Sequence, residues 1–366
     1  MPEQHASLGK GGSVASRTLN CPGWVPLTLT LPPELQHPPA SQFAIEGTKL
    51  HEEMEEILLN NARPTHEKTD RALDAFDLVC EELGVQDEEF MVEQRVQLKG
   101  FEGYWGTCDI VIDARPIVIL DWKFGDGVMV FAENNDQLQF YANAALDTLF
   151  DPHAIRPSDE VVLAIVQPSD RREQDYDYWR TTVGDLRSWK ARYAAAVKQT
   201  HIELGSWCKF CPALAICPKQ RCEAEKALQT NLAELQPEAL GEWWSKARFL
   251  EDFIRELDRI VLYQLEREVE IPGCKLVRGK TQRAWEDSKA TLAWIKAQRL
   301  PLKDFAPRTP VTPAAMERQN VEFPDELLKK KTGKLVIAPE LDPRPAVNLG
   351  LQRVADMMKA TSGKKN

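Results

Sequence analysis

The stretch Gly106-Thr107-Cys108-Asp109-Ile110-Val111-Ile112-Asp113-Ala114-Arg115-Pro116-Ile117-Val118-Ile119-Leu120-Asp121-Trp122-Lys123 decides the reading of this chain. Two runs of β-branched and aliphatic residues flank a tight connection at Ala114, Arg115 and Pro116, the pattern of an antiparallel hairpin. A turn centred on Arg115 sets Asp109 opposite Asp121, where Cβ atoms stand about 4.5–5.5 Å apart. Lys123, two residues on, projects from the same face as Asp121, and Trp122 from the other. The apolar runs 110–112 and 118–120 show no alternation, so burial on both faces is expected. Two carboxylates this close repel unless a cation lies between them, and a divalent metal is the usual partner. An ammonium beside such a metal orients water or stabilises developing negative charge. The set suits metal-assisted hydrolysis of a phosphodiester. The rival reading is a solvated hairpin face, and a one-residue slip would carry Asp109 to the wrong side.

Around the hairpin the periodicity predicts an α/β chain. Helical patterning starts near Glu46 and runs through Leu50, Met54, Ile57 and Leu58. A second helix is expected over Lys68–Leu83, then strands over Phe90–Leu98, Tyr104–Ile112 and Ile117–Lys123. Asn134–Leu149 reads as a helix capped by Asn135 or Asp136. Strands follow at Glu160–Val166 and Tyr176–Thr182, and a helix at Leu186–Leu204. A long amphipathic helix is expected over Pro237–Glu268. The Gly-, Ser- and Pro-rich residues 1–40 read as an extended segment, and the chain ends in a Gly/Lys tail.

Composition sets the outer bounds. The 366 residues are 43% hydrophobic and 28% charged, which excludes a wholly disordered chain, a collagen or a coiled-coil rod. No apolar run approaches the roughly 18 residues that span a bilayer, and the N-terminus lacks a signal-like apolar region, so a cytoplasmic location without membrane contact is expected. The net charge of −10 is uneven. Residues 46–93 carry 15 acids and 4 bases, whereas residues 275–310 carry 9 bases and 3 acids. That basic stretch, with Lys280 and Arg283, is a candidate phosphate-binding face or a solvated surface. Gly273 precedes Gly279-Lys280-Thr281 by five intervening residues where a phosphate-binding P-loop has four, so ATP is not an expected ligand.

Eight cysteines in a cytosolic chain do not suggest a disulfide framework. Cys208, Cys211 and Cys217 have the spacing C-x2-C-x5-C, dense enough for a soft metal but one ligand short. Cys222, nearby, and Cys21, far off in Leu19-Asn20-Cys21-Pro22-Gly23, are the candidates for the fourth, and zinc is as good a candidate as iron–sulfur on chemistry alone. Cys80 and Cys108 sit among apolar residues and read as core thiols.

Taken together, Gly106-x-x-Asp109, Asp121-x-Lys123 and Gln137-x-x-x-Tyr141 resemble the RecB-like branch of the PD-(D/E)XK nucleases. The resemblance implies a restriction-endonuclease-like core, a mixed central sheet flanked by helices, with Asp109 and Asp121 binding Mg²⁺ or Mn²⁺. It implies that Lys123 assists the attacking water and that Gln137 and Tyr141, one helical turn apart, lie beside the site. Gly47-Thr48-Lys49-Leu50-His51 matches a Gly-x-x-x-His form, which implies His51 as a further ligand, together with the Trp122 backbone carbonyl. Glu93 resembles an acid found near such sites, and Glu55 reads as solvated. Asp121 stands where most relatives have Glu, a shorter side chain that still chelates.

Iron–sulfur members of that branch, of the AddB and CRISPR-associated RecB-like exonuclease type, hold a [4Fe–4S] cluster with one Cys before the core and three after it. By that resemblance Cys21, Cys208, Cys211 and Cys217 form an iron–sulfur staple. The chain further resembles an uncharacterised phage and prophage group through Arg17-x-Leu19-Asn20-Cys21-Pro22-Gly23 and Pro272-Gly273-Cys274-Lys275-Leu276-Val277. The expected organisation is an N-terminal segment at 1–40, a nuclease core at 41–205, a cysteine cluster at 206–225 and a C-terminal α+β region at 237–366. The expected function is metal-dependent exonucleolytic digestion of DNA ends in phage or prophage replication or recombination, within a bacterial host cytoplasm, with replication or recombination proteins as further partners. A non-catalytic DNA-binding module or a replication adaptor is the alternative.

Overall fold

In the computed structural model the described residues are 6–37, 42–86, 88–125, 128–229, 236–279, 282–306, 309–331 and 334–350. The chain forms two compact units, Met1–Phe253 and Ile254–Asn366. The first therefore holds the N-terminal segment, the sheet and the cysteine-rich stretch together.

Within the first unit, residues expected to be extended instead form short helices, α1 (Ala15–Asn20) and α2 (Trp24–Thr28). Ala15, Trp24 and Leu35 are buried there, and that burial holds the turns in place of intrinsic helix propensity. Then come α3 (Gln42–Asn60), α4 (Glu67–Leu83), β1 (Phe90–Gln97), β2 (Trp105–Ile112), β3 (Ile117–Trp122), α5 (Asp136–Thr148), β4 (Glu160–Val166), β5 (Tyr176–Thr182) and α6 (Val183–Ala196). His66 caps α4 by accepting the Lys68 N–H, and Gly84 closes it in the left-handed conformation at φ 69°. α6 ends well before Leu204, because residues 201–204 have no regular secondary structure and lie against the cysteine region, where the His201 carbonyl accepts the Gly23 N–H at 2.9 Å. α7 (Pro218–Gln229) follows, and the expected long helix is divided at Arg248 into α8 (Pro237–Ala247) and α9 (Phe249–Glu266).

The strands make one mixed sheet in the order β1-β2-β3-β4-β5. Only β3 and β4 run parallel, and α5 is the crossover between them. β2 and β3 pair Ile110 with Leu120, Val111 with Ile119 and Ile112 with Val118, which is the register of a turn centred on Arg115. Both faces of the central strands are buried. Val111, Ile117, Ile119, Leu163 and Ile165 pack with Leu138, Ala142, Ala145 and Trp189 from α5 and α6. On the other face Ile110, Val118, Leu120, Val162 and Ala164 pack with Met54, Phe76 and Val79 from α3 and α4. Each such large side chain contributes about 1.5–3 kcal/mol by leaving water.

The alternation of β1 and β2 breaks at one level. Val92 lies in the α3/α4 layer but Val96 in the α5/α6 layer, although both are even-numbered. Ile110 and Cys108 part in the same way. The break coincides with Glu93, whose φ is +50°, a left-handed value uncommon for a non-glycine residue. The ladder pairs 92 with 110 and 94 with 108, so Glu93 faces Asp109 without pairing. Both acids thereby leave the regular pleat.

In the second unit, β6 (Cys274–Arg278) and β7 (Gln282–Trp285) are followed by α10 (Ser288–Ala297), α11 (Leu302–Phe305), α12 (Pro313–Arg318), β8 (Leu328–Lys331) and β9 (Leu335–Pro339). β6 pairs with β9 and β7 with β8, both antiparallel. Ile295, Phe305 and Met316 form its core, against Trp285 and Phe323. Among the described residues no helix is long and apolar enough to cross a membrane.

Candidate active site

The end of the β2/β3 hairpin brings Asp109, Asp121 and Lys123 together. Past Ile110 and Leu120 the ladder stops, and Asp109 Oδ2 accepts the Trp122 backbone N–H at 2.7 Å. Trp122 itself is held by its indole, buried edge-on to Phe76 at 5.8 Å. Asp109 and Asp121 are 7% and 3% exposed, so their charges are not simply solvated. Burial, reinforced by the facing charge of Asp121, pushes the Asp109 carboxyl well above the ordinary carboxylate range. Asp121 Oδ1 accepts Gln137 Nε2 at 3.1 Å. Its buried Oδ2 lies against the Lys123 ammonium yet takes no hydrogen bond of ordinary geometry.

Two helices complete the site. Asn135 caps α5, its Oδ1 accepting the N–H groups of Gln137 and Leu138 at 3.0 and 3.1 Å. That start aims Gln137 and Tyr141 at the hairpin, with Gln137 Nε2 3.4 Å from Tyr141 Oη. The Tyr141 ring sits between two glycines. A Cβ on Gly12 would fall 2.4 Å from Tyr141 Cε1, and one on Gly106 would fall 2.6 Å from the same atom. The glycine of Gly106-x-x-Asp109 is thus a close-approach position for Tyr141. Burial raises the Tyr141 phenol well above its usual range, and Asp121 and Asp109 add to the shift, so it stays a neutral donor.

From α3, His51 reaches the hairpin with Nδ1 3.7 Å from Asp109 Oδ2 and its ring edge-on to Phe124 at 5.3 Å. Burial holds the imidazole below its ordinary range, against Asp121 and a hydrogen bond to the Trp122 backbone. A neutral imidazole is the ligand form. Glu93 joins this group. Ligand atoms of His51, Glu93 and Asp109 all lie within 4.8 Å of one another. Burial, with Glu55 and then Asp121 nearby, pushes the Glu93 carboxyl up to about 7. The acid that the sequence placed only loosely is therefore the third member of the compact donor set. Asp121, expected there, falls outside that compact set, with its Oδ1 accepting Gln137 Nε2 and its Oδ2 against the Lys123 ammonium.

A cleft of about 650 Å³ opens beside His51 and Glu93, lined also by Gly9, Gly12, Thr48, Glu55, Trp105 and Tyr141 among others. Glu55 lines it half-buried, on the face of α3 that also carries Thr48 and His51. The N-terminal turn forming one wall was not foreseen. The Gly11-Gly12 pair ahead of α1 was its one signal.

The cysteines form a second constellation. Cys21, Cys208, Cys211 and Cys217 line one small cavity, with Arg17, Trp24 and Trp207 around it. Cys21 Sγ accepts the Glu203 N–H at 3.3 Å, and Cys208 Sγ the Gly205 N–H at 3.5 Å. Arg17 Nε donates to the Trp207 carbonyl at 2.9 Å while its guanidinium lies 4.8 Å from the Trp24 ring centre. Burial raises the Cys211 thiol to about 11, with Arg17 opposing the rise. Cys222 is exposed and lines no wall of this cavity. Cys80 and Cys108 are buried in the two layers of the sheet.

Of the two residues singled out in the basic stretch, only Arg283 is among the described residues. Lys280 lies outside the described residues. Arg283 is exposed and forked onto the Glu317 carboxylate.

Solved structures similar to this chain include the following three. SSO0001 shares 16% identity, covering 60% of this chain and 89% of its own, with a TM-score of 0.31. An alkaline exonuclease from Laribacter hongkongensis shares 10% identity over 51% of this chain and 92% of its own, with a TM-score of 0.22. A phage related exonuclease from Haemophilus somnus 129PT shares 17% identity over 45% of this chain and 87% of its own, with a TM-score of 0.22. At these scores the reading of the site rests on its own geometry. At the level of sequence families the match is broad: residues 65–345, spanning β1 to β9, place the chain in the family described as protein of unknown function (DUF2800).

Proposed function

We propose that this protein is a metal-dependent DNA nuclease of the PD-(D/E)XK type, an exonuclease acting on DNA ends in phage or prophage replication or recombination. The observation that carries the reading is the convergence of Asp109, Asp121, Lys123, His51, Glu93, Gln137 and Tyr141 at the end of one buried hairpin. Buried acids this close, with a neutral imidazole among them, are a hard, oxygen-rich donor set that fits Mg²⁺ or Mn²⁺. His51, Glu93, Asp109, Asp121 and the Trp122 carbonyl would hold it. Such an ion supplies Lewis-acid charge and an acidified water for attack on a phosphodiester. Lys123 holds Asp121 in place and offers an ammonium to negative charge developing on the phosphoryl oxygens. Gln137 fixes the other Asp121 oxygen, and Tyr141 presents a hydroxyl that stays protonated. The DNA-end preference and the phage setting rest on the resemblance of the motifs.

We also assign a [4Fe–4S] cluster to Cys21, Cys208, Cys211 and Cys217. Their gathering around one cavity supports it. The cluster ties the N-terminal segment, which walls the cleft, to the chain beyond α6.

The test is incubation of anaerobically purified protein with end-labelled single- and double-stranded DNA. Mn²⁺-dependent release of nucleotides from the ends is expected. DNA left intact under every metal and strand condition would contradict the assignment.

A further inference from the structure

We infer that the β-ribbon of the second unit is a nucleic-acid binding surface that tracks phosphates of duplex DNA. The starting observation is its register. Cys274 pairs with Pro339 and Arg278 with Leu335 in the β6/β9 ladder, and Gln282 with Lys331 and Trp285 with Leu328 in the β7/β8 ladder. The two ladders share one register. The Gly279 N–H donates to the Lys334 carbonyl at 2.8 Å and the Glu286 N–H to the Leu327 carbonyl at 2.8 Å, extending each by one step in that register. Stretches far apart in sequence, 274–279 against 334–339 and 282–286 against 327–331, are thereby laid side by side.

Their charges are one-sided. Residues 274–285 carry Lys275, Arg278, Lys280 and Arg283, and residues 328–339 carry Lys329, Lys330, Lys331 and Lys334, with no acid in either. This is a block of eight bases in a protein of net charge −10. The basic stretch is legible in the sequence only in part, because half of its charge arrives on the partner strand. Neighbours engage some of these groups. Arg283 forks onto Glu317, Lys329 Nζ lies 3.1 Å from Glu286, and Lys275 Nζ donates to the Asp342 carbonyl at 2.7 Å. The first two pairs are surface pairs that phosphate can displace at little cost, since exposed ion pairs contribute about 0–1 kcal/mol. Arg278, Lys330, Lys331 and Lys334 fall where the two ladders adjoin.

A two-stranded ribbon is a shape the major groove admits, at a width of about 12 Å. Lysines on it supply sequence-independent affinity through counterion release. The choice of DNA over other polyanions rests on the nuclease reading. A surface of this kind would hold substrate for an enzyme whose cleft is itself lined with acids.

The test compares Asp121→Asn protein with the same chain also carrying Lys330→Gln, Lys331→Gln and Lys334→Gln. Binding to a labelled duplex is measured by anisotropy from about 50 to 200 mM salt. The expected result is a loss of at least tenfold in affinity at low salt, and a log–log salt slope shallower by about 0.9 for each phosphate contact removed. Lys334→Gln alone, at an exposed position, should remove one such step, and Lys→Arg at all three positions should restore the slope. An unchanged slope in a folded triple variant, no duplex binding by the parent, or equal retention on anionic vesicles or polyglutamate would each overturn the inference. Because the readout is binding, these results stand apart from whether the parent enzyme, with Asp121 intact, cleaves DNA.

Discussion

Asp109 accepts the backbone N–H of Trp122 at 2.7 Å, across the end of a hairpin whose ladder stops one pair earlier. One carboxylate oxygen is thus spent on the strand that carries Asp121 and Lys123. The acid is buried and that bond fixes its orientation. The bond fixes where the two strands part and so where their side chains meet. Its cost is a buried carboxyl facing a second one, a conflict that a divalent cation resolves.

Asp109→Asn should therefore separate stability from chemistry. Asparagine keeps an oxygen for the Trp122 N–H and removes one of two facing charges. Its melting temperature without metal should match or exceed that of the parent at neutral pH, while nuclease activity falls by at least a hundredfold. Thermal melts beside a cleavage assay check both, and a large drop in melting temperature would show that the carboxylate stabilises the fold.

The Glu93 carboxyl, raised to about 7 chiefly by burial and next by Glu55, links metal to pH. A carboxyl whose folded pKa lies above its unfolded value of about 4.5 contributes stability below that value. The contribution is lost as pH rises through about 7. Metal-free protein should lose melting temperature across this window, and Mn²⁺ should reverse the loss. Calorimetric Mn²⁺ titrations near pH 6, in two buffers of different ionisation heat, should reveal proton release. Glu93→Gln should reduce it, the rest coming from Asp109, whose carboxyl is also raised.

Tyr141 between Gly12 and Gly106 gives a packing prediction. Gly106→Ala places a methyl within 2.6 Å of the ring, and overpacking of this kind costs about 1–3 kcal/mol. Adding Tyr141→Ala should recover part of that loss, a coupling that denaturant melts of the two single variants and the double variant would measure. Strictly additive losses would mean that the ring does not occupy this slot.

The hairpin was legible because its signals are local. Apolar runs, a tight connection and two acids at matched distances from Arg115 determine the register, and the observed pairing of Ile110 with Leu120 follows. Gln137 and Tyr141 were legible because helical spacing places them on one face and the resemblance implies that this face lies beside the site. Glu93 was legible only through the resemblance, because its inclusion in the donor set depends on a left-handed φ in mid-strand that no pattern of two announces. The walls made by Gly9 and Gly12, and the second strand of the basic ribbon, are long-range pairings that depend on how distant segments close on one another.

For the cysteines, the two serine variants should diverge. Anaerobically purified protein should be brown, as thiolate-ligated iron–sulfur clusters are. Cys21→Ser should lose colour and melting temperature, whereas Cys222→Ser should keep both, since Cys222 is exposed and outside the cavity. Colourless protein with about one equivalent of zinc would replace the cluster with a mononuclear site.

The most direct test of the nuclease assignment is single-turnover cleavage of an end-labelled duplex in Mn²⁺ by the parent and by Lys123→Ala, with Mn²⁺ binding measured on both. Lys123 is assigned to the chemistry and not to the metal. The account predicts nucleotide release from the ends by the parent, a rate at least a hundredfold lower in the variant, and Mn²⁺ affinity within a few-fold of the parent. Cleavage by Lys123→Ala at the parent rate, or no cleavage by a parent that binds Mn²⁺, would contradict it.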